Sequence, residues 1–119
     1  MAHPHQYLQD WYYVNAAMQA QLPYDLSQRQ WLILCHIYLI DDVHTVKSLS
    51  FQFDIAKPAI CRALDSLSQM GLIKRVRDAQ DKRHVIMQKT LKGIGFLNQF
   101  SDIMEQYYIR AKQSASFAQ

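Results

Sequence analysis

The chain has 119 residues, a formal net charge of +3, half of its residues hydrophobic and only 19% charged. A length of this order is one domain with a core large enough to fold without metal or disulfide staples, which excludes a two-domain enzyme. Three glycines and three prolines in the whole chain exclude a disordered or fibrous composition.

In chain order, Leu8, Trp11, Tyr12, Met18 and Leu22 recur at helical spacing, and Pro23 closes this first helix. Ser27 followed three residues later by Gln30 is a capping-box pattern, after which Trp31, Leu34, Ile37 and Tyr38 continue a second helix as far as Asp41 and Asp42. Thr45 caps a short third helix with Val46, Leu49 and Phe53 on one face, and a turn of three to four residues follows. Pro58 suits the first turn of a fourth helix, and Gly71 stands where a helix C-terminus needs a left-handed residue. Between them Ile60, Leu64 and Leu67 form an apolar stripe, which leaves Pro58, Ala59, Arg62, Ser66 and Gln69 on the outward side.

Two short helices with apolar faces and a tight turn between them make a helix-turn-helix. Residues 72–77 and 84–90 then read as strands joined by a polar connection at 78–82, a hairpin or wing. From Leu91 onward Ile94, Leu97, Phe100, Met104, Tyr107 and Ala111 return to helical spacing, with fraying expected from Ser114. The expected fold is mainly α with a small β-hairpin wing. A winged helix-turn-helix at residues 26–91 is flanked by terminal helices at 1–25 and 92–115, all within one domain.

Residues 31–40 are the longest near-continuous apolar run and include His36, well short of the roughly 20 residues of a membrane span. The first residues lack a basic stretch leading into an apolar one, so no secretory signal is visible and the expected location is cytoplasmic. Cys35 and Cys61 have no second pair, which fits neither a disulfide framework nor a cysteine-based zinc site, and both are expected to stay reduced. His3 and His5 are neighbours but lack a third and fourth ligand, so no metal is expected. Gly93-Ile94-Gly95 lacks the surroundings of a phosphate loop, and no nucleophile, base and orienting acid cluster together, so neither an enzyme nor a cofactor is expected.

The charge is unevenly distributed. Residues 45–93 hold ten basic side chains against four acids, a net of +6, and the remainder is net −3. A basic middle in a neutral-to-acidic frame is the footprint of a module that meets a polyanion, nucleic acid being the commonest; an ordinary solvated surface is the alternative.

The order of elements and four pieces of sequence resemble the MarR family of winged-helix transcriptional regulators over residues 26–97. The pieces are Arg62-Ala63-Leu64-Asp65-Ser66-Leu67, Met70-Gly71-Leu72-Ile73-Lys74-Arg75, Asp78-Ala79-Gln80-Asp81-Lys82-Arg83 and Thr90-Leu91-Lys92-Gly93. The last but one keeps the Asp-x-x-Asp-x-Arg spacing of the family's wing. Ala79 stands where proline is common, Lys82 where arginine is common, and both terminal helices are shorter than usual. The resemblance implies a homodimer with interlocking terminal helices, each subunit laying a recognition helix in the major groove of double-stranded DNA and a wing along the minor groove. It implies a repressor on an inverted-repeat operator, released by a small aromatic effector. A winged-helix module for protein contact, replication or plasmid maintenance is the alternative with the same fold.

Residue by residue, Arg62 is the outward cation of the recognition helix and the first choice for paired hydrogen bonds to guanine; a surface pair with Asp65 or Ser66 is its plainer alternative. Ala59 suits a thymine methyl, Ser66 and Gln69 suit phosphate, Pro58 shares their face, and Lys57, just before the helix, would meet the backbone. In the wing Arg75, Arg77, Lys82 and Arg83 are the candidate DNA contacts, with Asp81 expected to pair with Arg75 or Arg83 and stiffen the hairpin. Leu8, Trp11, Tyr12, Phe100, Met104, Tyr107 and Tyr108 offer more aromatic and apolar surface than a monomer of this size can cover, which suits dimerisation. Trp11, Tyr12, Trp31 and Tyr38, with Tyr13, suit an effector pocket, against plain core packing. Cys61 is better placed than Cys35 for reactivity, being near a helix N-terminus, Lys57 and Arg62; a bystander thiol is the plainer alternative for both.

Overall fold

The computed structural model describes residues 5–117, with side chains described through Tyr107. Its elements are α1 (Gln6–Gln21), α2 (Gln28–Leu39), α3 (Val46–Phe53), α4 (Lys57–Gln69), β1 (Ile73–Arg77), β2 (Val85–Lys89) and α5 (Leu91–Phe117). This is the mainly helical, winged-hairpin architecture that the periodicities predict. The chain divides into two compact units: Leu26–Gly95, and the segments before and after it.

Local chemistry sets the helix starts in the Leu26–Gly95 unit. The Ser27 hydroxyl accepts the Gln30 amide at 3.1 Å and the Gln30 side chain accepts the Ser27 amide at 2.8 Å, completing the expected box at α2. Thr45 and Ser48 form a second box at α3, with distances of 2.8 and 3.0 Å. Between α3 and α4 the chain turns at Asp54, whose φ of +51° lies in the left-handed region that Asp tolerates better than most residues. The Ser50 hydroxyl closes this turn by donating to the Ile55 carbonyl at 2.6 Å. Ala56 precedes α4, so Lys57 is the first helical residue, not the residue before the helix, and Pro58 occupies the first turn where its missing N–H is not needed.

The stripe on α4 packs as its spacing predicts: Ile60, Leu64 and Leu67 are fully buried, joined by Ala63. Full burial of each large side chain contributes about 1.5–3 kcal/mol, so this stripe is a main hold on the helix. Ile33, Leu34 and Ile37 of α2, Leu49 of α3 and Leu72 and Ile73 complete the fully buried large side chains, and Leu26, Met87 and His44 are buried beside them. Gly71 leaves the helix at φ +76°, and the Leu72 amide returns to the Leu67 carbonyl at 3.0 Å.

That bond is why β1 begins at Ile73, one residue later than the sequence suggests. The antiparallel register runs from Ile73 opposite Lys89 to Arg77 opposite Val85. β2 is also shorter than expected, because the His84 amide is used on the Asp81 carbonyl in the wing turn and Thr90 caps the start of α5. The Thr90 hydroxyl accepts the Gly93 amide at 2.9 Å and donates to the Gly71 carbonyl at 2.7 Å. Beside it the Tyr38 hydroxyl donates to the Leu72 carbonyl at 2.5 Å and accepts the Thr90 amide at 3.1 Å. A β-carbon at Gly93 would collide with the Tyr38 hydroxyl and the Leu72 carbonyl, so the Thr90-Leu91-Lys92-Gly93 piece closes the base of the hairpin. The His44 carbonyl adds a further tie by accepting the Met87 amide of β2 at 2.9 Å.

In the other unit, α1 buries no residue completely. Its half-buried positions are Gln6, Asp10, Val14, Asn15, Ala17 and Met18, whereas Leu8, Trp11 and Tyr12 are exposed. Phe96 and Ile103 of α5 are buried, and Tyr24 meets Phe96 edge to face at 5.8 Å. The α5 backbone stays helical through Phe117, beyond the fraying expected from Ser114.

Candidate nucleic-acid interface

Burial of Ile60, Ala63, Leu64 and Leu67 turns the opposite face of α4 outward. Pro58, Arg62 and Gln69 are exposed on it, and Ala59 and Ser66 are half-buried. Neither plainer partner holds the Arg62 side chain. Asp65 is taken by Arg75 at 2.6 Å, and the Ser66 hydroxyl donates only to the Arg62 backbone carbonyl at 3.2 Å. Among the described residues no hydrogen bond or ion pair engages the Arg62 guanidinium.

The wing divides its cations differently from their listing in the sequence. Arg75 reaches from β1 to Asp65 on α4, an exposed pair that contributes about 0–1 kcal/mol but links the hairpin to the helix. Arg77 donates to the Lys82 carbonyl at 2.9 Å and so braces the wing loop. Arg83 donates through Nε to Asp81 Oδ1 at 3.0 Å and through Nη2 to Asp81 Oδ2 at 2.9 Å. Of the two partners expected for Asp81, the structure selects Arg83. The Asp81 carboxylate also accepts the Arg83 amide at 3.1 Å and faces His84 at 3.4 Å. The Arg83 side chain and then its backbone amide hold the Asp81 carboxyl below the usual carboxylate range, and Asp81 in turn raises the Arg83 guanidinium. Even so, 87% of the Arg83 side chain is exposed, so its remaining N–H groups stay open to an anion.

Between the starts of α3 and α4 and the wing lies an open cleft of about 530 Å³. Lys47, Lys57, Arg83 and His84 line it, with Asp78 as the acid among them. A second, smaller cleft brings Arg29 of α2 alongside Ala59, Arg62 and Ser66. Lys47, His84 and Arg29 were not legible as site residues in the sequence. Each lies on an element other than α4 or at the edge of the wing, and only a first-turn position after a capping box marks Lys47 and Arg29.

The MarR family model matches residues 26–85, which is half of the chain and contains α2 through the wing loop. The chain belongs to the MarR family. The chain is also similar to solved structures of S. aureus MepR. A point mutant of MepR superposes with a TM-score of 0.77 at 20% identity, covering 91% of this chain and 77% of that one. MepR bound to ethidium bromide gives 0.74 at 21% identity, covering 96% and 83%. A further MepR mutant, bound to an oligodeoxyribonucleotide, gives 0.72 at 21% identity, covering 98% and 95%. Membership makes this protein a MarR-type transcriptional regulator fold, and the family's members are transcription regulators rather than enzymes.

The remaining candidates of this MarR-family chain fall in separate places. Leu8, Trp11 and Tyr12 are exposed on α1, at 62%, 64% and 59%, and Met104 is exposed on α5. Phe100 and Tyr107 are half-buried. Tyr107 stacks on Tyr13 with ring centres 6.4 Å apart and lies 3.4 Å from Asp10, and burial followed by Asp10 raises its phenol. Tyr108 lies outside the residues whose side chains are described. Trp11 and Tyr12 belong to one unit and Trp31 and Tyr38 to the other. Tyr38 already uses its hydroxyl at the hairpin base and carries Lys89 over its ring at 5.9 Å. Both cysteines are free and half-buried, and burial raises the Cys35 thiol. Among the described residues no three His, Cys, Asp or Glu side chains gather to hold a metal, and no helix is long and apolar enough to cross a membrane. His3 lies outside the described residues.

Proposed function

We propose that this protein is a homodimeric, sequence-specific repressor that binds an inverted-repeat operator in double-stranded DNA. In this reading α4 enters the major groove, where Arg62 reads a base and Ala59, Ser66, Gln69, Pro58 and Lys57 fit and position it. The wing residues Arg75, Arg77, Lys82 and Arg83, with Asp81 ordering the loop, lie along the minor groove. The observation that carries the reading is the unengaged guanidinium of Arg62 on the exposed face of a helix-turn-helix whose flanks are lined by further cations. MepR in complex with an oligodeoxyribonucleotide supports it from a related fold.

Dimerisation rests on the exposed Leu8, Trp11, Tyr12 and Met104 of the terminal helices, an apolar surface that a second copy would cover. A two-fold axis then predicts half-sites about one helical turn apart. Release by a small aromatic effector is supported by MepR, which has been solved with ethidium; Trp11 and Tyr12 are aromatic side chains open to such a molecule.

The test is selection of bound duplexes from a random library together with the mass of the protein in solution. An enriched palindromic sequence and a dimer mass are expected. Arg62→Ala should cost about 1–3 kcal/mol on the selected sequence and relax the choice at one base per half-site. No enriched sequence, or uniformly weakened binding with the preference intact, would remove the base-reading role. An affinity for another protein in place of DNA would favour the interaction-module reading.

A further inference from the structure

We propose that Arg29, in the first turn of α2, is an additional DNA-contacting residue that engages a backbone phosphate beside the bases facing Arg62. The proposal rests on the DNA-binding reading of α4. Arg29 is exposed, and among the described residues no hydrogen bond or ion pair engages its guanidinium. It lines an open cleft of about 180 Å³ together with Arg62, Ala59, Ser66 and the α2 cap residues. That volume is several times the ~30 Å³ share of a liquid water, which leaves room for a phosphate group.

Two guanidinium groups from different helices therefore border one concavity, and none of its lining residues carries a carboxylate. Such an arrangement leaves the cations mutually repulsive until an anion arrives, and duplex DNA is the polyanion that the outward face of α4 is shaped to meet. The local backbone reinforces the choice of phosphate over base. Ser27 and Gln30 cap each other, leaving the first-turn amides of Gln28 and Arg29 as donors without a partner inside the helix. A second open cleft, lined by Arg29, Leu32 and Ile55 among others, extends from the same arginine to the turn between α3 and α4. A DNA strand leaving the α4 contact thus has a shallow channel past Arg29. Lysine would keep the charge at this position but not the planar fork of arginine, so charge and geometry can be separated.

The experiment titrates the full-length chain and its Arg29→Ala, Arg29→Lys and Arg62→Ala variants with a selected duplex and with a random-sequence duplex over a range of salt concentrations. Arg29→Ala should weaken both duplexes on the order of tenfold, lower the salt slope by about one per subunit and leave the base preference intact. Arg29→Lys should restore the slope, and thermal melting of both variants should match the parent because the side chain is exposed. Unchanged affinity and slope in Arg29→Ala would overturn the proposal, and so would a relaxed preference at one base, which would make Arg29 a base reader. If Arg62→Ala is equally silent, the DNA reading of α4 itself fails. If Arg62→Ala changes the preference while Arg29→Ala changes nothing, only the Arg29 assignment falls.

Discussion

Tyr38→Phe removes one oxygen and should cost about 2–4 kcal/mol, more than most single-atom changes, because that oxygen serves two main-chain groups from distant segments. The hydroxyl donates to the Leu72 carbonyl at 2.5 Å and accepts the Thr90 amide at 3.1 Å. Leu72 is fully buried, so no water can take over the carbonyl, and an unmade buried hydrogen bond costs about 1–3 kcal/mol. The Thr90 amide is half-buried and adds about 1 kcal/mol. The remainder of the ring stays in place, including its contact with Lys89, so no cavity term is added. Urea unfolding followed by far-UV circular dichroism measures the loss, at one fixed protein concentration because any association would shift the midpoint. For a chain of this size about 2–4 kcal/mol corresponds to a fall in Tm of roughly 8–16 °C. Gly93→Ala should be at least as damaging, since its β-carbon would occupy the space of the same hydroxyl. A Tyr38→Phe protein within about 0.5 kcal/mol of the parent would refute the claim that this hydroxyl closes the hairpin base.

Arg83→Ala should weaken specific and random-sequence DNA alike and lower the salt slope by about one per subunit, whereas Asp81→Ala should keep the slope and lower thermal stability by loosening the loop it organises; titrations across salt with parallel melts check both, and an unchanged Arg83→Ala protein would take the wing off the DNA. His36, edge-on to His44 at 5.1 Å and to Phe53 at 5.3 Å, has its imidazole held below the ordinary range by burial and then by His44, against the opposing pull of Asp42. The unfolded chain therefore takes up this proton first, so the stability associated with neutral His36 is present above the ordinary imidazole value and is lost as pH falls through the lower folded value. Urea midpoints should drop over that interval in the parent and drop less in His36→Gln; equal pH dependence in the two would refute the assignment.

Most of the fold was legible because its signals are local. Ser27 with Gln30 and Thr45 mark helix starts, Gly71 marks a helix end, and the Ile60, Leu64 and Leu67 spacing marks a buried face, each within a few residues of the element it controls. The periodicity of α1 gave the helix but not its orientation. Leu8, Trp11 and Tyr12 lie on its exposed side while Asp10 and Asn15 are half-buried, because an apolar stripe marks a face to be covered without saying what covers it. Tyr38 likewise reads as one more apolar position of α2. Its partners are Leu72 and Thr90, separated from it by 34 and 52 residues, and no local pattern announces them.

The candidate site was legible as a sum of charges and illegible as individual cations. Counted along residues 45–93 the excess is +6, yet that sum treats every arginine as equally available. In the folded chain Arg75 is tied to Asp65 on α4, Arg83 is paired with Asp81 and Arg77 is occupied by the Lys82 carbonyl, while Arg62 is unengaged among the described residues. The Arg83 pair spans two residues and follows from the wing spacing, whereas the Arg75 pair spans ten and depends on how β1 passes α4. An exposed ion pair of this kind adds little stability, so its consequence is geometric: it fixes where the wing stands relative to the helix. Arg29 shows the converse. It lies outside the basic segment, in a stretch whose net charge is negative, and still borders the same cleft as Arg62. The electrostatic field a nucleic acid meets is set by which cations remain unpaired after folding and by which helices bring them to one surface, and neither is contained in a count along the chain.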